Sequence, residues 1–174
     1  MYYAQIRKYD TANGPNIRSS LFVSGCTHKC EGCFNEDYRN FRYGNEWTPD
    51  ICDEFIEMIK DPQIKGVTII GGEPMDQIQD DDLLNLVKRI KEETGKNIWI
   101  YSGYTYEQIL QHEKRKEILS FCDALVDGLF VLELKNLKLK FRGSSNQRII
   151  DIQKSLVGGE VQLLKGYTGE RHKI

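Results

Sequence analysis

Between Gly25 and Phe34 the chain reads Gly-Cys-Thr-His-Lys-Cys-Glu-Gly-Cys-Phe, which puts Cys26, Cys30 and Cys33 on one short loop in a C-x3-C-x2-C pattern. Three thiolates this close in sequence can hold three corners of a cubane iron-sulfur cluster, whereas a fully ligated cluster takes four cysteines. One iron then keeps an open position. Such an iron can bind and orient a small molecule while the cluster supplies an electron, which favours redox chemistry over a structural staple. The loop also constrains the fold. The stretch before it, Arg18 to Ser24, reads as a core strand ending at Gly25, so the thiols stand at a strand's carboxyl end, where α/β folds gather their chemistry.

Other uses of the cysteines fit less well. With His28 the loop offers a Cys3His set for zinc, but zinc ligands usually arrive as two separated pairs on two chain segments. Here all four would have to converge from Cys26 to Cys33 alone. The 5 cysteines are an odd number with three crowded together, which suits no disulfide framework. Cys52 and Cys122 lie in apolar settings and read as small core residues.

With 174 residues the chain is expected to form one domain, 1–174, with a substantial core. Lys+Arg of 24 against Asp+Glu of 26 leaves a formal charge of -2, so no strong field points to nucleic acid or an anionic membrane. The start, Met1-Tyr2-Tyr3-Ala4-Gln5-Ile6-Arg7, lacks the regions of a signal peptide, and no apolar run approaches the roughly 20 residues of a spanning helix. A cytoplasmic protein is expected, in a reducing compartment that keeps thiols free.

Along the chain, a short strand is expected near Tyr3 to Arg7, then a turn at Asn13-Gly14-Pro15. Thr48-Pro49-Asp50 reads as a helix start, with Ile51, Phe55, Ile56 and Ile59 on one face and a stop near Asp61-Pro62. Lys65 to Ile70 is a continuous apolar run suited to a strand buried on both faces, ending in Gly71-Gly72-Glu73-Pro74. Taken alone, that ending is an ordinary strand-to-helix turn. Asp80 to Asp82 start a helix carried by Leu83, Leu84, Leu86, Val87 and Ile90 and ended by Gly95. A strand from Asn97 to Tyr101 and a capping box at Thr105 and Gln108 follow. Gln111 to Glu117 reads as a solvated helix face, Ala124 to Gly128 as a fourth strand with its turn, and Leu137, Leu139 and Phe141 as the inward side of a half-exposed strand. Lys165 to Ile174 reads as a mobile tail. Alternating strands and helices imply a parallel sheet. Since a closed eight-unit barrel takes about 250 residues, the expected fold is an incomplete (β/α) barrel of about five or six mainly parallel strands with outer helices, open on one side.

The cysteine spacing after a hydrophobic strand resembles the radical S-adenosylmethionine superfamily. Gly14-Pro15, Ile17-Arg18, Ser20 to Gly25, His28, Gly32 and Asn35, with Arg142-Gly143-Ser144-Ser145-Asn146-Gln147-Arg148, narrow the resemblance to the activating proteins of anaerobic (class III) ribonucleotide reductase. Asn16 stands where that family usually carries a second glycine. The resemblance implies a [4Fe-4S] cluster on Cys26, Cys30 and Cys33. It also implies S-adenosylmethionine held by Gly71, Gly72, Glu73 and Pro74, with Ser102 facing the nucleoside and Asp127 of a V-D-G segment as a further cofactor-binding residue. The alternative for Asp127 is a turn acid. The implied partners are the large reductase subunit, which would receive a glycyl radical, and a flavodoxin or ferredoxin-type reductant. Three alternatives stay open at this point: the activator of another glycyl-radical enzyme such as a formate-lyase, a small-molecule radical enzyme of the deazaguanine synthase type, and a zinc-binding interaction module.

Overall fold

The computed structural model describes residues 1–167. The last residues of the expected mobile tail, 168–174, lie outside that range. In chain order the elements are β1 (Tyr2–Asp10), β2 (Arg18–Ser24), β3 (Asn45–Glu46), α1 (Pro49–Ile59), β4 (Gly66–Gly71), α2 (Asp82–Arg89), β5 (Asn97–Ser102), α3 (Tyr106–Leu110), α4 (Glu113–Ser120), β6 (Ala124–Asp127), β7 (Arg148–Asp151) and α5 (Ile152–Gly158). The strands form one open 7-stranded sheet in the order β3-β1-β2-β4-β5-β6-β7.

The sheet is mixed. β2, β4, β5 and β6 pair in parallel, each crossing to the next through a connection long enough to turn the chain round. β1 is antiparallel to β2 and β3, and β7 is antiparallel to β6. The sequence expectation of five or six mainly parallel strands therefore holds for the centre and misses both edges. The reason at one edge is the short link after β1. Asn13-Gly14-Pro15 turns the chain straight back, which permits only an antiparallel neighbour.

Side chains alternate between two faces with the strand period of two. Leu21, Val23, Val67, Ile69, Ile98, Ile100, Leu125 and Ile150 belong to the main core. Helix residues complete it: Phe55, Ile56 and Ile59 of α1, Leu83, Leu86 and Val87 of α2, and Ile118 and Leu119 of α4. The other face carries Trp99, Ala124, Val126 and Ile149 in a smaller cluster. It also carries Arg18, whose buried guanidinium donates to Thr68 Oγ1 (2.9 Å), the Val67 carbonyl (2.9 Å) and Asn97 Oδ1 (2.9 Å), tying β2, β4 and β5 together. This second face is where the cavity opens.

Local chemistry sets the boundaries. Thr48 Oγ1 accepts from the Ile51 amide at 3.3 Å with Pro49 in the first turn, and the Thr105 and Gln108 capping box forms as the sequence indicates. α2 runs into a π-turn at Ile90–Thr94 before Gly95 ends it at φ 63°. One expectation is corrected. Leu137, Leu139 and Phe141 make no strand: Phe141 sits at φ 55°, which breaks an extended run. Leu139 is buried and Phe141 packs edge-on against Trp99 at 5.6 Å. Gln111 to Glu117 is mostly exposed, as expected, with Lys114 and Arg115 half-buried where α4 restarts at Glu113.

Candidate active site

Cys26, Cys30 and Cys33 are free, half-buried thiols on the loop after β2, and all three line one cavity of about 410 Å³. Ile70, Tyr101, Val126 and Phe141 from the second face of the sheet line the same space, together with Gly71, Gly72, Glu73, Ser102 and Gly103. Burial pushes the Cys26 thiol up to about 12 and raises that of Cys30.

The Gly-Gly-Glu-Pro turn is built against the cysteine loop. Gly72 N donates to Val23 O and Glu73 N to Gly25 O, both at 2.8 Å. Gly71 takes φ 110°, and a Cβ on Gly72 would stand 2.6 Å from the Gly25 carbonyl oxygen, so side chains at these two positions would separate the strands' ends. Glu73 is 1% exposed. Its Oε1 accepts from Met75 N (2.9 Å) and Ser102 Oγ (2.7 Å), and its Oε2 accepts from Gly103 N (2.6 Å) and faces His28 Nε2 at 3.0 Å. The hydrogen bond to Glu73 raises the His28 pKa, overcoming burial. His28 is thereby committed to the carboxylate, away from a Cys3His set. Among the described residues no three His, Cys, Asp or Glu side chains meet in a group suited to a single metal ion. Soft thiolates spread along one cavity wall are instead the donor set that an iron-sulfur cluster takes.

A protein-family model described as a 4Fe-4S single cluster domain matches residues 12–150. Proteins named anaerobic ribonucleoside-triphosphate reductase-activating protein are similar over most of the chain. That of Vibrio cholerae is 39% identical over 152 residues, covering 86% of this chain and 97% of the relative. That of Escherichia coli K12 is 39% identical over 150 residues (84% and 96%), and that of phage T4 is 38% identical over 150 residues (86% and 93%). The chain belongs to this activating-protein family. The matched span contains every cysteine of the loop and the whole of β2 through β6.

Within this family member, Ser102 lies on the cavity wall and gives its hydroxyl to Glu73 while accepting from Tyr104 N at 3.0 Å. Asp127 stands outside the cavity lining, although Gly128 beside it is part of that lining. It is 1% exposed and holds Arg148 through Oδ1 (3.0 Å) and Oδ2 (2.5 Å), and the Tyr106 amide at the start of α3 (2.8 Å). Pro74 is buried at the first position of a 3-10 turn, Pro74–Asp76, and also lies off the lining.

Sequence reasoning missed the side chains behind the loop. Asp76 Oδ2 accepts both the amide and the hydroxyl of Thr27 at 2.8 Å, and Oδ1 accepts Tyr104 Oη at 2.7 Å. Arg115 Nη2 reaches Asp76 Oδ1 at 3.4 Å, its Nε donates to Met75 O at 2.8 Å, and its guanidinium covers the Tyr104 ring 4.0 Å from the centroid. The Arg142-to-Arg148 stretch works as a clasp. Ser144 Oγ accepts from Val131 N (3.2 Å), and Asn146 and Gln147 donate to the Leu129 and Gly128 carbonyls (2.8 and 2.9 Å). These bonds close the segment after β6 into a wall whose Phe130, Leu137 and Leu139 face the cavity.

Proposed function

We propose that the chain activates the anaerobic ribonucleoside-triphosphate reductase, cleaving S-adenosylmethionine reductively at a [4Fe-4S] cluster and thereby placing a glycyl radical on the large reductase subunit. The observation that carries this reading is the opening of three free cysteines onto one cavity whose wall also holds Gly71, Gly72 and Glu73. Cys26, Cys30 and Cys33 would hold the cluster, leaving one iron for the ligand. When bound, the reduced cluster would supply one electron for cleavage of the sulfonium, with methionine as the leaving group and a glycine Cα of the partner as the hydrogen donor.

The chain's own residues serve this chemistry by binding, orienting and excluding. Glycines 71 and 72 let backbone carbonyls approach an ammonium group closely, and the Glu73 carboxylate supplies the complementary charge. Ser102 acts on the ligand through Glu73, and Asp127 acts through the end of β6 and Gly128. The apolar walls Ile70, Val126 and Phe141 keep water and stray hydrogen donors from a radical. Phe34 and Leu137 line the cavity yet are 61% and 77% exposed, which suits a site whose last wall comes from the partner. That partner is the large reductase subunit, and a flavodoxin or ferredoxin-type protein delivers the electron. The parallel centre with helices over one face is read as an incomplete barrel acting as one domain. No helix among the described residues is long and apolar enough to cross a membrane, in keeping with a cytoplasmic setting.

The test is anaerobic. The chain is reconstituted with iron and sulfide, reduced, and mixed with S-adenosylmethionine and the large subunit, and the electron paramagnetic resonance spectrum is recorded. A glycyl doublet that needs every component is expected. A reduced-cluster signal and released 5'-deoxyadenosine without the doublet would move the reaction to another substrate.

A further inference from the structure

Asp76 is a buried carboxylate, 4% exposed, that touches the residue directly after Cys26. Among the described residues its ion-pair partner is Arg115, on α4, which also donates to Met75 O and to Tyr104 Oη (3.1 Å) and covers the Tyr104 ring. Neither residue lines the cavity, so contact with a ligand does not account for the pair. A full charge buried in this way is expensive unless it is matched, and its field is poorly screened by salt. Charges and hydrogen bonds just outside the ligand sphere are levers by which a protein sets the potential of a metal cluster.

We propose that Asp76 anchors the cysteine loop through Thr27 and that Arg115 compensates its charge, so that the pair leaves the reduction potential of the cluster at Cys26, Cys30 and Cys33 nearly unchanged. The inference rests on the cluster reading above. Reduction brings one electron from an external low-potential reductant onto the cluster. A carboxylate left without Arg115 opposes that added negative charge, whereas Arg115 left without the carboxylate favours it. Together they present a dipole whose two ends nearly cancel, so the loop gains an anchor with little change in potential.

The experiment is a redox titration of the anaerobically reconstituted chain, followed by the electron paramagnetic resonance of the reduced cluster, with iron and sulfide counted in each sample. Arg115→Gln is expected to make reduction harder by about tenfold in its equilibrium constant, about 59 mV for a one-electron couple. Asp76→Asn is expected to shift it by a similar amount the other way. The double variant is expected to return close to the wild-type value, because both charges are gone. Shifts of one sign in the two single variants, losses that add in the double variant, or unmoved potentials in fully loaded variants would each overturn the pair. Should Arg115→Gln fail to hold a cluster, Arg115→Lys decides, since it keeps the charge: a wild-type potential there supports the proposal and a displaced one overturns it. A wild-type chain that takes up no iron and sulfide overturns the cluster reading and this pair with it, whereas a loaded wild type with unmoved variants overturns the pair alone.

Discussion

At Asn16 a side chain occupies backbone territory that favours glycine: φ is 63°, and the residue is exposed. Asparagine tolerates the left-handed region far better than branched residues do, so a position that reads as a departure from the family pattern keeps the turn that a glycine would make. Asn16→Gly is therefore expected to change stability by no more than about 0.5 kcal/mol, as relief of strain is offset by greater freedom in the unfolded chain. Asn16→Val is expected to lose about 1–2 kcal/mol. Urea denaturation of the two variants checks this, and equal losses would contradict it. The cysteines, Gly71, Gly72 and Glu73 could be grouped from residue type and spacing, and the structure sets them around one cavity. Arg115 could not, since a basic residue in a charged run looks solvated. Asp76 stayed hidden because one acid in a turn carries no pattern.

Among the elements, the central strands were legible because continuous apolar runs and caps mark them. β2 was read at its observed limits, Arg18 to Ser24, and α1 was found from its threonine cap. Of the antiparallel edges, the turn signal at Asn13-Gly14-Pro15 bore on the pairing of β1 with β2, whereas nothing local marked that of β7 with β6. The turn from β1 into β2 shows what holds one edge. Burial pushes the Asp10 pKa up, but the Ser20 hydroxyl (2.6 Å), the Asn13 amide (2.6 Å) and the Ala12 N-H (2.8 Å) outweigh it and hold the carboxyl below its usual 3.8. A folded-state pKa below the unfolded one means that the ionised carboxylate contributes stability above the unfolded value and loses it as pH falls through the folded one. Asp10→Asn should therefore cost about 1–3 kcal/mol at neutral pH. Its difference from wild type should stay constant above about pH 5 and shrink below 3.8. Denaturation curves taken between pH 3 and pH 7 would show this, and a difference independent of pH would contradict it.

At the scale of the whole molecule, the sheet divides labour between its faces. One side is closed by helices and carries the main core. The other leaves the cavity beside the cysteine loop, its far wall supplied by the segment after β6. That division was not readable from the strands, because a continuous apolar run such as Lys65 to Ile70 fits burial on both faces. Nor was the wall itself, because Leu137, Leu139 and Phe141 alternate with basic residues as a strand would, whereas the backbone at Phe141 turns to φ 55°. The central claim is that three of the 5 cysteines hold a cluster that cleaves S-adenosylmethionine while the other two pack the core. The most direct measurement is 5'-deoxyadenosine released by the reconstituted, reduced chain in each single Cys→Ala variant. Release is expected to vanish in Cys26→Ala, Cys30→Ala and Cys33→Ala and to persist in Cys52→Ala and Cys122→Ala. Equal release in all variants, or equal loss in all, would contradict the account.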